Sequence, residues 1–191
     1  NRTILRCIGQ DGLVSYTIIA YINTLILNIM LGVSQGSQPL ISYHYGQKDR
    51  GGCRRLLRYG LVTLVGMTVL CFGAVQLLAP QIVHAFLGDE NPALNLSSVD
   101  ALRRYGLCYL MVGFNVLMGG FLTAVERPRP AICISVGRGL ALQAGALLLL
   151  AAVWGGSVIW FAPVISEALC LVMALVFMTR FWRKSPDTVQ V

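Results

Sequence analysis

The chain has 191 residues, of which 56% are hydrophobic and 12% charged, with a mean hydropathy of +0.70 and a formal net charge of +7. A soluble domain carries about one quarter charged residues, so this composition excludes a water-facing fold and makes the bilayer the natural solvent. The basic residues sit between apolar runs, not on a basic helix or among interleaved aromatics; nucleic acid is therefore no expected partner, and membrane orientation accounts for them.

Six cysteines (Cys7, Cys53, Cys71, Cys108, Cys133 and Cys170) are scattered one to a segment without a CxxC pair. Neither a disulfide framework nor a metal site is expected from them. No Ser–His–Asp arrangement, phosphate loop or metal cluster stands out, so an enzyme is not expected either.

Residues 1–12 are polar and read as a loop. From Leu13 to Gln47 no residue is formally charged, a run longer than the roughly 20 residues that cross a bilayer. We read a first span over about 13–45. Within it Ser34, Gln35, Gly36, Ser37, Gln38 and Pro39 form a polar, helix-disrupting insert. Pro39 removes a backbone donor and is expected to bend the helix. In a membrane such a break survives only where packed helices, polar side chains or cavity water satisfy the freed groups.

A dense basic loop follows, with Lys48, Arg50, Arg54, Arg55 and Arg58 against one acid, Asp49. The second span covers about 56–87 and carries Pro80 near its far end. Gly88 to Pro92 has turn composition, and Val99 to Arg104 reads as the first turns of the next helix. The third span covers about 102–125 and ends at Glu126-Arg127-Pro128-Arg129-Pro130. The fourth covers about 131–154 and carries Arg138. Gly155 and Gly156 make a tight turn into the fifth, about 158–179, which holds Pro163 and Glu167. The expected fold is all-α: a polytopic membrane bundle of five transmembrane helices over residues 1–184, with a cytoplasmic tail at 185–191.

Alternating sides give ten basic residues on one face of the membrane and four on the other, with Arg138 inside the bilayer. The positive-inside rule puts the ten in the cytoplasm. The N-terminus is then outside and the C-terminus cytoplasmic. An odd number of spans with an external start, and no starting Met, leads us to expect a preceding helix.

The stretch Gly32 to Gly46, GVSQGSQPLISYHYG, resembles the eighth helix of the multidrug and toxic compound extrusion (MATE) family, where a G-x-x-Q-G-x-Q-P-[LI]-x-x-Y-x-Y-G pattern leads into a basic cytoplasmic loop. Gly32, Gln35, Gly36, Gln38, Pro39, Tyr43, Tyr45 and Gly46 stand in those places. Phe121 to Gly139 is similar to the family's tenth-to-eleventh helix junction, and Val158 to Val172 to its twelfth helix. NRTILRCIGQDG resembles the connection after the seventh. The resemblance, nearest the MepA-type bacterial branch, implies the C-terminal lobe of a twelve-helix transporter, helices eight to twelve, with the N-terminal lobe as its absent partner. It further implies an inner-membrane antiporter that exports organic cations and drugs against a sodium or proton gradient, with membrane lipid as surroundings, no cofactor and no metal. Some branches carry an acid in the tenth helix. Here Tyr105 to Val125 holds none, and Asn115 is the polar candidate.

The candidate pathway residues are Asn23, Asn28, Gln35, Gln38, Pro39, Asn115, Arg138 and Glu167. Glu167 is the one acid within a span; an intramembrane carboxylate is costly unless paired, hydrated or protonated. It is either a proton- or cation-linked group or a structural acid between helices. Arg138, roughly 12 Å into its span, either snorkels to the surface or pairs inside the lobe. Sequence depth puts it toward the cytoplasm and Glu167 toward the outside, so a direct pair between them is not expected. Gln35, Gln38 and Pro39 form either a hinge lining a cavity or a static kink. Asn23, Asn28 and Asn115 either glue helices or line the pathway.

Tyr16, Tyr21, Trp160, Tyr43, Tyr45, Tyr59, Phe181 and Trp182 read as interfacial anchors. Gly119, Gly120, Gly137 and Gly139 read as points of close helix approach. Two rivals stand beside the exporter: a lipid-linked oligosaccharide flippase of the same superfamily, which would want a strongly cationic cavity, and a non-transporting membrane scaffold or subunit.

Overall fold

The computed structural model describes residues 2–88, 91–153 and 156–183. The expected tail at 185–191 and the Gly155 half of the expected turn lie outside the described residues. Among them every regular element is helical: α1 (Arg2–Gly46), α2 (Arg50–Leu87), α3 (Pro92–Gly106), α4 (Tyr109–Ala124), α5 (Pro128–Val136), a π-helical turn (Gly137–Ala141), α6 (Leu142–Val153), a 3-10 turn (Gly156–Phe161) and α7 (Ala162–Arg183).

Among the described residues, four helical segments are long and apolar enough to cross a membrane: Gln10–Gly46, Arg50–Leu87, Pro128–Leu150 and Ile159–Arg183. A fifth arises if α3 and α4, which meet at 41°, count as one broken span. At most 28% of the most apolar window of any of the four is buried. Leu70, Leu77, Leu149 and Val172 are each more than 60% exposed. So much outward-facing hydrocarbon is what a bilayer, and not water, would cover.

Several local expectations need correction. Residues 2–12 are helix, not loop: no proline precedes Pro39, so nothing stops α1 from running back to Arg2. The polar insert does not interrupt the helix. α1 continues through Pro39 to Gly46, and Pro39 is exposed together with Gln35, the residue whose carbonyl it leaves without a donor. The third span starts at Pro92, ahead of Val99, because Asn91 caps it: its Oδ1 accepts from Leu94 N–H at 3.1 Å.

α2 starts at Arg50 on a cap built by the loop before it. Asp49 accepts the Gly52 N–H at 2.8 Å, and His44 Nδ1 lies 2.8 Å from its other oxygen. Lys48 turns the chain with φ 61. Gly52 has no room for a Cβ, since the His44 ring and the Asp49 carboxylate fill that space. The hydrogen bond from Gly52, followed by that with His44, holds the Asp49 carboxyl below its ordinary value of 3.8.

α4 is the most enclosed helix. Tyr109, Leu117 and Phe121 on it are fully buried, against Met30 and Ile41 of α1 and Leu64 of α2 in one core. Ser34 and Ser42 of α1 donate to the carbonyls of Val116 (3.2 Å) and Ala124 (3.1 Å), so two hydroxyls about two turns apart on one helix face zip α1 to α4. Gln76 and Arg103 exchange side-chain-to-carbonyl bonds at 3.0 and 3.3 Å, fixing α2 to α3. At the other end Arg54 stands 5.9 Å over the Trp182 ring, and Phe181 packs edge-on and Trp182 tilted against Phe121. The basic loop after α1, the start of α5 and the end of α7 thus share one end of the bundle. Trp160 is 8% exposed and belongs to the core, which corrects its reading as an anchor. Phe181 and Trp182 are half-buried on Phe121, because their rings complete the α4–α7 contact.

Candidate functional site

A polar pocket of about 220 Å³ opens between α1, α4 and the α5–π-turn segment. α1 contributes Ser34, Gln35 and Gln38, the first and last one turn apart on one face. α4 contributes Asn115, Gly119 and Thr123, a strict i, i+4, i+8 row, and Gly120 beside it. Ser135 and Arg138, three residues apart, come from α5 and the π turn. So many polar groups converge here between apolar spanning helices, where each needs a protein partner or cavity water. Two further clefts, one lined by Leu122, Pro130, Phe177 and Phe181 with two arginines and one around Trp160 and Pro163, are mainly apolar.

Gly120 makes the pocket possible. A Cβ there would run into the Ser34 hydroxyl and meet Gln38 Nε2 at 2.8 Å. Its absence lets the polar face of α1 lie against α4. Gly137 is tight as well, 3.1 Å from Met173 Cε. Gly119 has ordinary clearance and Gly139 has open space, so neither is required for close approach.

Behind the wall lies an ionic knot. Asn115, fully buried, donates its Nδ2 to Glu167 Oε2 at 2.7 Å and to the Glu167 carbonyl at 3.0 Å. Arg138 Nε stands 3.8 Å from Glu167 Oε1, with side-chain exposures of 19% and 11%. The expectation that Arg138 and Glu167 stay apart is therefore wrong. Residue counting fixed their depth as if the side chains had no length and the helices no offset. The π turn at Gly137–Ala141 carries Arg138 on an irregular coil, a feature common where side chains are re-aimed for function. The acid that α4 lacks is brought to its midpoint from α7.

Of the eight sequence-selected residues, Gln35, Gln38, Asn115 and Arg138 line the pocket and Glu167 stands behind it. Pro39 and Asn28 are exposed and Asn23 is half-buried; none of the three lines it. Sequence reasoning missed Ser34, Thr123 and Ser135 in the wall. The regular i+8 spacing from Asn115 to Thr123 and the i+3 spacing from Ser135 to Arg138 were the available signals. Some polar atoms lack partners: Asn115 Oδ1, Arg138 Nη1, Tyr109 OH and Ser166 Oγ are buried without a hydrogen bond. Among the described residues no group of three or more His, Cys, Asp or Glu side chains could hold a metal ion.

Bilayer-length helices packed around a half-open polar pocket define a polytopic helical membrane protein with a transporter-like interior. The MatE family model matches residues 3–145, three quarters of the length, and the chain belongs to this family. Its fold is shared with solved MATE transporters. An inward-facing multidrug resistance MATE family transporter of the MOP superfamily superposes with a TM-score of 0.90 at 15% identity, over 98% of this chain and 43% of that one. An outward-facing conformation gives 0.88 at 16% identity, over 97% and 42%. A MOP superfamily transporter from Pyrococcus furiosus, described by a reversed polarity of its binding pocket, gives 0.86 at 15% identity, over 94% and 40%. The chain thus spans somewhat under half the length of these transporters. No curated protein sequence matches it significantly.

Proposed function

We propose that these helices form the C-terminal lobe of a two-lobe secondary antiporter that exports organic cations and drugs by alternating access, driven by a sodium or proton gradient. The observation that carries this reading is the polar pocket of Gln35, Gln38, Asn115 and Arg138 inside an otherwise apolar bundle. The lobe fits inward- and outward-facing transporters about equally, with TM-scores of 0.90 and 0.88. That supports rigid-body rocking of a preformed unit against its partner lobe. The cytoplasmic side of the inner membrane is assigned to the basic end, where Arg54, Arg127 and Arg180 gather. Glu167 is the coupling candidate in this lobe.

A flippase for pyrophosphate-linked sugars is less well supported, since the one guanidinium in the pocket wall already stands beside a carboxylate. The test is retention of cationic dyes in efflux-deficient cells that express the complete protein. Lowered retention that returns when the ion gradients are collapsed supports export. Unchanged retention of several dyes, with good membrane expression, contradicts it.

A further inference from the structure

We infer that the cleft between α4, α5 and α7 at the basic end of the bundle binds an anionic phospholipid, its phosphate held between Arg127 and Arg180. The site lies apart from the polar pocket and does not depend on what the protein transports. The cleft measures about 210 Å³ and is lined by Leu122, Arg127, Pro130, Phe177, Arg180 and Phe181. Its two arginines are exposed, Pro130, Phe177 and Phe181 are half-buried, and Leu122 is buried. Hydrocarbon walls under a basic rim complement a phosphate headgroup on acyl chains, at the end of the bundle where the spans leave the membrane.

The chain brings the two arginines together by different means. After α4 the Arg127 N–H donates back to the Leu122 carbonyl at 2.8 Å, across a turn in which Glu126 has φ 57. Pro128 then fixes the backbone at the start of α5. Arg180 stands three residues beyond Phe177 on α7, so the two share a helix face. Neither guanidinium makes a hydrogen bond or ion pair with another described residue. None of the lining residues is acidic, and Glu126, next to Arg127 in the chain, is exposed and outside the cleft. Arg is the side chain whose planar fork matches phosphate oxygens, and two that lack a carboxylate partner beside apolar walls call for an anion. A soluble anion gains nothing from Leu122, Phe177 and Phe181, whereas a lipid does. A zwitterionic phospholipid brings its own cation to a site that already holds two. At about 210 Å³ the cleft takes a headgroup and the first part of a chain. Deeper along the same helices Ile132 and Val136 of α5 and Val172 and Val176 of α7 are exposed, hydrocarbon on which the rest of the lipid lies.

The test is native mass spectrometry of the complete protein in detergent, titrated with phosphatidylglycerol or with phosphatidylcholine of the same acyl chains. The wild type is expected to hold phosphatidylglycerol more tightly than phosphatidylcholine. An Arg127→Gln, Arg180→Gln double variant is expected to lose one tightly held phosphatidylglycerol, its affinity falling about fivefold for each arginine and about thirtyfold for both. Each single variant shows its own share, and Arg127→Lys, Arg180→Lys should lose less than the glutamine pair. An Arg55→Gln, Arg58→Gln variant removes the same charge from the same end, outside the cleft, and is expected to keep that lipid. Glycerol phosphate, the anion without chains, is expected not to displace it at equal concentration. Equal binding of the two lipids by the wild type overturns the inference. So does an equal loss in the two charge-matched double variants, which is the effect of surface potential alone. Displacement by glycerol phosphate overturns it as well, leaving an anion site that does not select lipid. None of these outcomes bears on export, which the dye assay decides separately.

Discussion

The Arg138 guanidinium and the Glu167 carboxylate stand 3.8 Å apart, Nε to Oε1, while Asn115 Nδ2 closes on the other carboxylate oxygen at 2.7 Å. Three helical segments meet at this one acid. Removing one charge of such a pair costs far more than removing both, because the survivor is left buried and unpaired. Arg138→Ala is expected to lower stability by about 3–5 kcal/mol. Adding Glu167→Leu to it should restore most of that loss. Equilibrium unfolding of the complete protein in mixed detergent measures both; a double variant as weak as the sum of the singles would show that the two side chains are not coupled.

Asn115→Leu removes the donor to both the carboxylate and the carbonyl of Glu167. The expected loss is about 1–3 kcal/mol, the penalty of leaving a buried acceptor unsatisfied. Asn115→Ser, which keeps a donor, should lose less. The same unfolding assay distinguishes the two, and equal losses would mean that packing volume, not the hydrogen bond, is what Asn115 supplies.

Gly120→Ala drives a methyl into the Ser34 hydroxyl and Gln38 amide. Overpacking of this kind costs about 1–3 kcal/mol. Gly139→Ala, with open space around it, is the matched control and should be neutral or slightly stabilising, since alanine favours helix. A Gly120 variant as stable as the Gly139 variant would mean that α1 and α4 lie farther apart than described here.

Asp49 caps α2 through Gly52 N–H and meets His44, and these contacts lower its pKa from 3.8. A carboxyl whose folded pKa is depressed stabilises the fold above its unfolded value. That contribution is lost as the pH falls through the still lower folded value. Thermal unfolding followed from about pH 6 down to about pH 3 should therefore show a larger acid-induced fall in Tm for wild type than for Asp49→Ala. Parallel curves would show that the cap adds nothing to stability.

The spans and their apolar character were legible because a run without charge from Leu13 to Gln47 leaves few alternatives to a membrane helix. Gln35, Gln38, Asn115 and Arg138 were legible for the same reason: polar side chains are conspicuous in apolar runs. What residue order could not supply was offset between helices. Arg138 lies ten residues past Pro128 and Glu167 sixteen before Arg183. At 1.5 Å per residue that sets them about 15 and about 24 Å from the same end of the bundle, a gap that a long arginine on a π turn crosses. Pro39 was read as a bend in one long helix, and the helix runs on through it to Gly46; the carbonyl it leaves without a donor belongs to Gln35, an exposed residue. The broken third span was hidden because its bend at Leu107–Cys108 carries no proline or glycine pair.

The central claim is that the Gln38 wall belongs to a cargo pocket opening to alternate sides of the membrane. The most direct measurement is labelling of a single cysteine at Gln38, in a complete protein cleared of its other cysteines, with an impermeant maleimide applied from each side. The account predicts labelling from one side at rest, a shift toward the other side when the ion gradient is imposed, and protection by a transported dye. Labelling from one side only, unchanged by gradient or dye, would contradict it.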